Sequence, residues 1–159
     1  MATEAQAGER NRWLVGNETI EQVLAGYAAA VRAKDADGFV ALYASDVRVF
    51  DMWGRWSYDG AEAWRAMAEE WFGSLGAEQV AVEFKDVETV VGDQVAIAHA
   101  FVTYKGLAAD GAELRAMNNR LSWGLKKTAD EGWKVVHEHS SAPADFDTGK
   151  VQLQRPTSG

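Results

Sequence analysis

The second half of the chain reads as four long segments of alternating apolar character, at about 78–91, 94–105, 112–127 and 133–141. They are divided by Gly92-Asp93, by Gly106 to Gly111 and by Asp130 to Gly132. Glycine-containing breaks between period-two runs make hairpins, so these segments predict an antiparallel meander. Long strands twist, and a twisted sheet curls into a concavity that something must cover. The first half supplies the cover. Thr19 and Gln22 have the spacing of a capping box, and Ile20, Val23, Leu24, Tyr27 and Val31 then recur at helical spacing. Asp37 is the predicted N-cap of a second, shorter helix carrying Phe39, Val40, Leu42 and Tyr43, which Ser45-Asp46 ends. Val47, Val49 and Asp51 alternate with Asp46, Arg48 and Phe50, giving a strand with an acid at the end of its valine-lined face. After a loop rich in Trp and Gly at 52–58, Asp59 and Glu62 cap a third helix. Its apolar positions are Trp64, Met67, Ala68, Trp71, Phe72 and Leu75, and Gly73 and Gly76 stop it. This order predicts an α+β fold, a curved antiparallel sheet with three helices packed over its concave face.

The length of 159 residues fits one domain, read as 13–142, with flexible segments at 1–12 and 143–159. With no cysteine in the chain, thiolate nucleophiles, iron–sulfur clusters, cysteine-held zinc and disulfide scaffolds are all excluded. A net charge of −8 without a Lys/Arg cluster argues against nucleic acid and against an anionic membrane as partners. The opening MATEAQAGERNRW lacks a basic region followed by an apolar run, and no stretch approaches the roughly 20 apolar residues of a membrane span. The expectation is a cytoplasmic protein whose partners are a small hydrophobic molecule and a second copy of itself. No phosphate loop, nucleophile elbow or dinucleotide fingerprint is present, so no cofactor is expected.

The 7 Trp, 6 Phe and 4 Tyr are more aromatic surface than a core of this size requires, which points to an aromatic-walled pocket under the helices. Trp64 and Trp71 lie on the third helix's buried stripe and read as core, whereas Trp53 and Trp56, in a glycine-containing loop, suit a pocket mouth. Tyr27 sits on the apolar stripe of the first helix, where its phenol is either a core tyrosine bonded to a carbonyl or a donor into the pocket. Asp51 shares parity with Val47 and Val49. It is either a solvated acid at the strand end or a carboxyl facing the covered side, where desolvation raises its pKa and makes it a proton acceptor.

The run from Tyr27 through AAAVRAKDADGFVALYASDVRVF to Asp51 sets phenol and acid 24 residues apart. In this register it resembles the ketosteroid isomerase branch of the NTF2-like superfamily, whose fold is a cone of the predicted kind. The resemblance implies that Tyr27 donates to a substrate oxyanion and that Asp51 shuttles the proton. Met52 stands where that branch has proline. Its second oxyanion-hole acid falls near Asn118-Asn119, where an amide replaces it and implies a different carbonyl substrate or weaker proton-transfer chemistry, not steroid isomerisation. The last segment, Trp133-Lys-Val-Val-His-Glu-His-Ser-Ser-Ala-Pro143, is similar to SnoaL-like proteins and to the association domain of calmodulin-dependent kinase. Together these stretches cover most of 20–142.

His137 and His139 share one face of the last strand, and Glu138 and Ser140 the other. The association-domain likeness implies that the Ser140 position reaches the pocket, which brings Glu138 inward as a second candidate base. An H-x-H pair supplies two metal ligands where at least three are needed, so the histidines read as structural or interface residues and no metal is expected. Arg120, on the less apolar face with Ser122, is either an anion anchor or a surface ion-pair partner. His99, in register with Val95, Ile97 and Phe101, is a pocket-wall or core histidine. Tyr43 joins Trp53, Trp56, His99 and Arg120 as a candidate substrate contact. The reading is a cofactor-independent isomerase, cyclase or dehydratase acting on a small hydrophobic carbonyl compound, polyketide-like compounds included, with Asp51 as base and Tyr27, Asn118, Asn119 and Glu138 assisting. The alternative is a non-catalytic ligand-binding or oligomerisation module.

Overall fold

The computed structural model describes residues 18–157, so segment 1–12 and the first residues of the expected domain lie outside the described residues. Helix α1 (Ile20–Ala33) begins with the reciprocal cap its sequence announces: the Thr19 hydroxyl accepts the Gln22 N–H, and the Gln22 side chain accepts the Thr19 N–H, both at 3.2 Å. Two N–H groups that a helix start leaves open are thereby satisfied.

Helix α2 (Ala36–Val40) is capped by Asp35, whose carboxylate accepts the Gly38 N–H at 2.9 Å, and not by Asp37, which pairs with Arg65 across the helix layer. It also ends sooner than its apolar spacing predicts. The Leu42 carbonyl accepts the Val135 N–H and Tyr43 pairs with Val135, so pairing with a distant strand draws Tyr43 into β1 (Tyr43–Phe50). The Trp/Gly loop hides a short strand, β2 (Tyr58–Asp59), paired antiparallel with β1. Helix α3 (Ala61–Ser74) starts from Gly60 at φ 90, ψ 156, a backbone region open to glycine alone, and has no side-chain cap. Asp59, expected as that cap, binds Arg48 at 2.8 Å instead.

Strands β3 (Gln79–Val91), β4 (Val95–Leu107), β5 (Glu113–Thr128) and β6 (Gly132–Ser141) form the expected meander. The sheet order is β2-β1-β6-β5-β4-β3, and β1 runs parallel to β6, so the sheet is mixed rather than purely antiparallel as the sequence predicts. Register shifts between Lys85 and Glu88 and between Gly124 and Leu125 bend it, the first with Asp86 at φ 51. The helices cover the inner face. Phe39, Val47, Val102, Trp123, Leu125 and Val135 are fully enclosed there, each worth about 1.5–3 kcal/mol or more of burial. The Tyr27 ring joins α1 to this core, 5.3 Å from Phe39 and 5.8 Å from Trp123, centroid to centroid.

Residues 143–159, expected as a flexible tail, are described as far as Thr157, and their middle lies along β5 where β6 no longer covers it. The Asn118 N–H donates to the Leu153 carbonyl at 2.7 Å, the Arg155 N–H to Asn118 Oδ1 at 2.9 Å, and Gln154 Nε2 to the Ala116 carbonyl at 2.8 Å. The Arg155 guanidinium stands 3.5 Å over the Phe101 ring and 2.8 Å from Asp86.

Candidate active site

Between the inner sheet face and α3 lies a cavity of about 790 Å³, a size suited to a small-molecule ligand. Trp64, Met67 and Trp71 line it from α3, Tyr27 from α1, Tyr104 from β4 and Leu153 from the C-terminal segment. Strand parity brings two carboxyls into its wall. Val49 pairs with Glu138, and Val47 and Val49 are fully buried, so Asp51 at the end of β1 and Glu138 and Ser140 on β6 all face inward.

The Ser140 hydroxyl donates to Asp51 Oδ1 at 2.9 Å and itself accepts the Met52 N–H at 2.9 Å. Burial raises the Asp51 pKa above the ordinary carboxylate value, while hydrogen bonds from Ser140 and from the Trp53 and Met52 amides oppose that rise. Glu138 is 2% exposed. Its Oε2 accepts the Tyr43 hydroxyl at 2.6 Å and Trp123 Nε1 at 2.7 Å. Burial still pushes its pKa up to about 7, with the Asp51 charge adding to the rise.

Two phenols stand in the same cavity wall. The Tyr27 and Tyr104 hydroxyls lie 3.0 Å apart and share a hydrogen bond, and burial raises the pKa of both, so they remain protonated donors. Asn119 is on the inner face between Val102 and Met52: its Nδ2 reaches Met52 Sδ at 3.6 Å and also faces the Tyr104 phenol, and Oδ1 is buried without a partner.

The other candidates divide by strand parity. Asn118 points away from the cavity and clasps the C-terminal segment and Thr103. Arg120 is exposed on the outer face, donating to Ser141 Oγ at 3.1 Å. His99 lies in the outer row Glu88–His99–Ser122–His139, 3.8 Å from the Glu88 carboxylate. Its register with Val95 and Ile97 is as predicted, but that face is the outer one. Alanines 96, 98 and 100 face inward, where Trp123 pairs beside Ala98 and Leu24 of α1 comes close. Tyr43 is inward yet fully buried behind Glu138, and acts on it rather than lining the cavity. Trp53 is at the mouth, 49% exposed, whereas Trp56 is 97% exposed and lies apart from the cavity. Trp64 and Trp71, read as core, are cavity wall as well. His137 and His139 flank Phe50 on the outer face, and His137 Nδ1–H donates to the Arg48 carbonyl at 2.7 Å. Among the described residues no cluster of three His, Asp or Glu is arranged around a metal position.

Sequence reasoning missed Tyr104 and Leu153. Tyr104 shares its strand face with Ala98, Ala100 and Val102, and became a site residue only because the fold turned that face inward. Leu153 carries no local signal, because its place depends on a return of the chain to β5.

A family profile described as a SnoaL-like domain matches residues 20–145. The chain belongs to the SnoaL-like family of NTF2-like proteins. Among solved structures, an NTF2-like protein of unknown function from Pseudomonas putida is similar, with 27% identity and a TM-score of 0.75, covering 87% of this chain and 94% of that one. An NTF2-like protein with a cystatin-like fold from Novosphingobium aromaticivorans shares 20% identity over 93% of both chains, with a TM-score of 0.67. Aln2 from a Streptomyces species shares 18% identity, with a TM-score of 0.66 over 76% of this chain and 85% of that one. No curated protein matches the sequence. The fold is therefore the NTF2-like, cystatin-like α+β architecture, and no described helix of this SnoaL-like protein is long and apolar enough to cross a membrane.

Proposed function

We propose that this SnoaL-like protein is a cofactor-independent acid–base enzyme acting on a small hydrophobic carbonyl compound in the aromatic cavity. One observation carries the reading: a carboxyl with a raised pKa, Asp51, shares a largely apolar cavity with a hydrogen-bonded pair of phenols, Tyr27 and Tyr104. A carboxylate there is a stronger base than in water, and removes a proton from the carbon next to the carbonyl. The electron pair left behind moves onto the carbonyl oxygen. The phenol pair has one hydroxyl proton not needed for its internal bond, and donates it as a hydrogen bond to the enolate oxygen. Return of the proton from Asp51 to a conjugated carbon is isomerisation. Attack of the enolate on a second carbonyl, whose oxygen takes the proton from Asp51, is cyclisation, and expulsion of a hydroxyl from the adjacent carbon, leaving as water with that proton, is dehydration. Glu138, with its pKa near 7, is a second group able to hold or release a proton at neutral pH.

The test is turnover by Asp51→Asn on a panel of conjugated ketones and polyketide-like substrates. The expected loss is about 10²–10⁴-fold, the usual worth of a general base. Unchanged turnover of a confirmed substrate refutes the role of Asp51. The proposal extends to a cytoplasmic homodimer joined through the outer sheet face, which carries exposed Val90, Val95 and Ile97 beside His99 and His139. Solution mass measurement at micromolar concentration tests the dimer, and a stable monomer, or a large ring such as an assembly module would form, refutes it.

A further inference from the structure

Among the described residues two buried side-chain atoms lack a hydrogen-bond partner, Trp64 Nε1 and Asn119 Oδ1, and both residues line the cavity. A buried polar group without a partner is destabilising, and native folds keep few of them. Trp64 Nε1 has the Tyr43 phenol beside it. Nothing comparable serves the Asn119 oxygen. The residue is 6% exposed, its Nδ2 is directed at a thioether and at the Tyr104 phenol, and its Oδ1 meets no donor.

Most donors near it are engaged elsewhere. The Ser140 hydroxyl goes to Asp51, the Tyr43 hydroxyl and Trp123 Nε1 go to Glu138, and the phenols of Tyr27 and Tyr104 share a bond that leaves one hydroxyl proton for a ligand carbonyl. Beside Asp51, the Asn119 oxygen remains an open acceptor. Among the described lining residues positive charge is confined to Arg115, which the Glu78 carboxylate grips. An anionic ligand would meet the carboxyls of Asp51, Glu70 and Glu138 and, among those residues, no cation free to balance it. A ligand carrying an O–H or N–H group would satisfy the one amide oxygen that the protein leaves open.

We propose that Asn119 is a specificity residue: its Oδ1 accepts a hydrogen bond from a donor, hydroxyl or amine, on a planar non-anionic ligand, beside the position where Asp51 acts. This reverses the role that sequence position suggests for Asn119, which is donation to an enolate. The inference rests on the cavity being a ligand site, and does not depend on turnover.

Calorimetric titration with one ring system tests it. Against 2-methylnaphthalene, 2-naphthol and 2-naphthylamine are expected to bind about tenfold more tightly, as one satisfied buried acceptor allows. The 2-naphthoate anion should bind more weakly than any of them. The better of the naphthol and naphthylamine arms identifies a hydroxyl or an amine as the natural donor. In Asn119→Leu the donor's advantage should fall to within about twofold, with 2-methylnaphthalene binding unchanged. A donor advantage over 2-methylnaphthalene that survives in Asn119→Leu overturns the proposal. Should that variant fail to fold, the wild-type series alone decides, since 2-naphthol binding no better than 2-methylnaphthalene refutes it. Absence of saturable binding by all of these rings overturns the ligand-site reading along with it. Unchanged turnover in Asp51→Asn overturns only the catalytic reading and leaves the binding ratios as predicted.

Discussion

Replacing Glu138 by glutamine keeps the side chain's size and one acceptor oxygen while removing its proton equilibrium. In the fold this carboxyl holds its proton to about pH 7, against an ordinary value of 4.5 in the unfolded chain. The native state therefore binds the proton more tightly. Stability from this group is complete below about pH 4.5 and is lost as pH rises toward 7. Each pH unit of that interval is worth about 1.4 kcal/mol, so the loss saturates at about 3 kcal/mol above pH 7. That is a large fraction of the roughly 5–15 kcal/mol typical of a domain. Glu138→Gln removes the whole effect. The assay is urea unfolding followed by tryptophan fluorescence from pH 5 to pH 8.5 at fixed ionic strength, which reports on Trp123 beside the carboxyl. Wild type should lose about 2.5 kcal/mol more than the variant across this range, part of the effect being already lost at pH 5, with the curves converging or crossing at alkaline pH. Ionisable groups remote from Glu138 contribute equally to both proteins and cancel in the comparison. Parallel curves would refute the placement of Glu138 as a buried, proton-holding acid.

Two further outcomes probe what holds the cavity in place. Gly60→Ala puts a β-carbon on a residue at φ 90, ψ 156, and should destabilise by about 1–3 kcal/mol from the backbone alone, since the nearest atom, the Ser45 carbonyl oxygen at 3.5 Å, leaves room for it. Thermal unfolding reads this directly, and an unchanged midpoint would contradict it. Leu153→Ala opens the wall supplied by the C-terminal segment, and should weaken 2-naphthol binding about threefold or more while costing the fold less than about 1 kcal/mol, because the side chain is only half-buried. Equal affinity of the variant and wild type in the same titration would remove Leu153 from the site.

Much of the architecture was readable because local chemistry and global packing agree. The Thr19/Gln22 cap, the stripe from Ile20 to Val31 and the four period-two runs each admit one regular structure, and the helices and meander follow from them. Parity alone also grouped Asp51 with Val47 and Val49, and Glu138 with Ser140, while the tertiary structure turned both groups toward the covered side. The misreadings share a cause. Tyr43 fits a helical stripe until Val135 offers it a strand partner, and Asp37 and Asp59 fit caps until Arg65 and Arg48 offer them charges.

Periodicity, then, determined which residues share a face, because alternation is a property of the local backbone. Which face became the interior was decided only in three dimensions. The Ala96–Ala98–Ala100 side of β4 turned inward, although Val95, Ile97, His99 and Phe101 are the larger set, because small side chains leave room for Trp123 of the neighbouring strand and Leu24 of α1. The unpartnered Asn119 oxygen and the return of Leu153 to the cavity wall are likewise products of tertiary contact. Each depends on atoms dozens of positions away in the chain, and no pattern within a strand or helix encodes them.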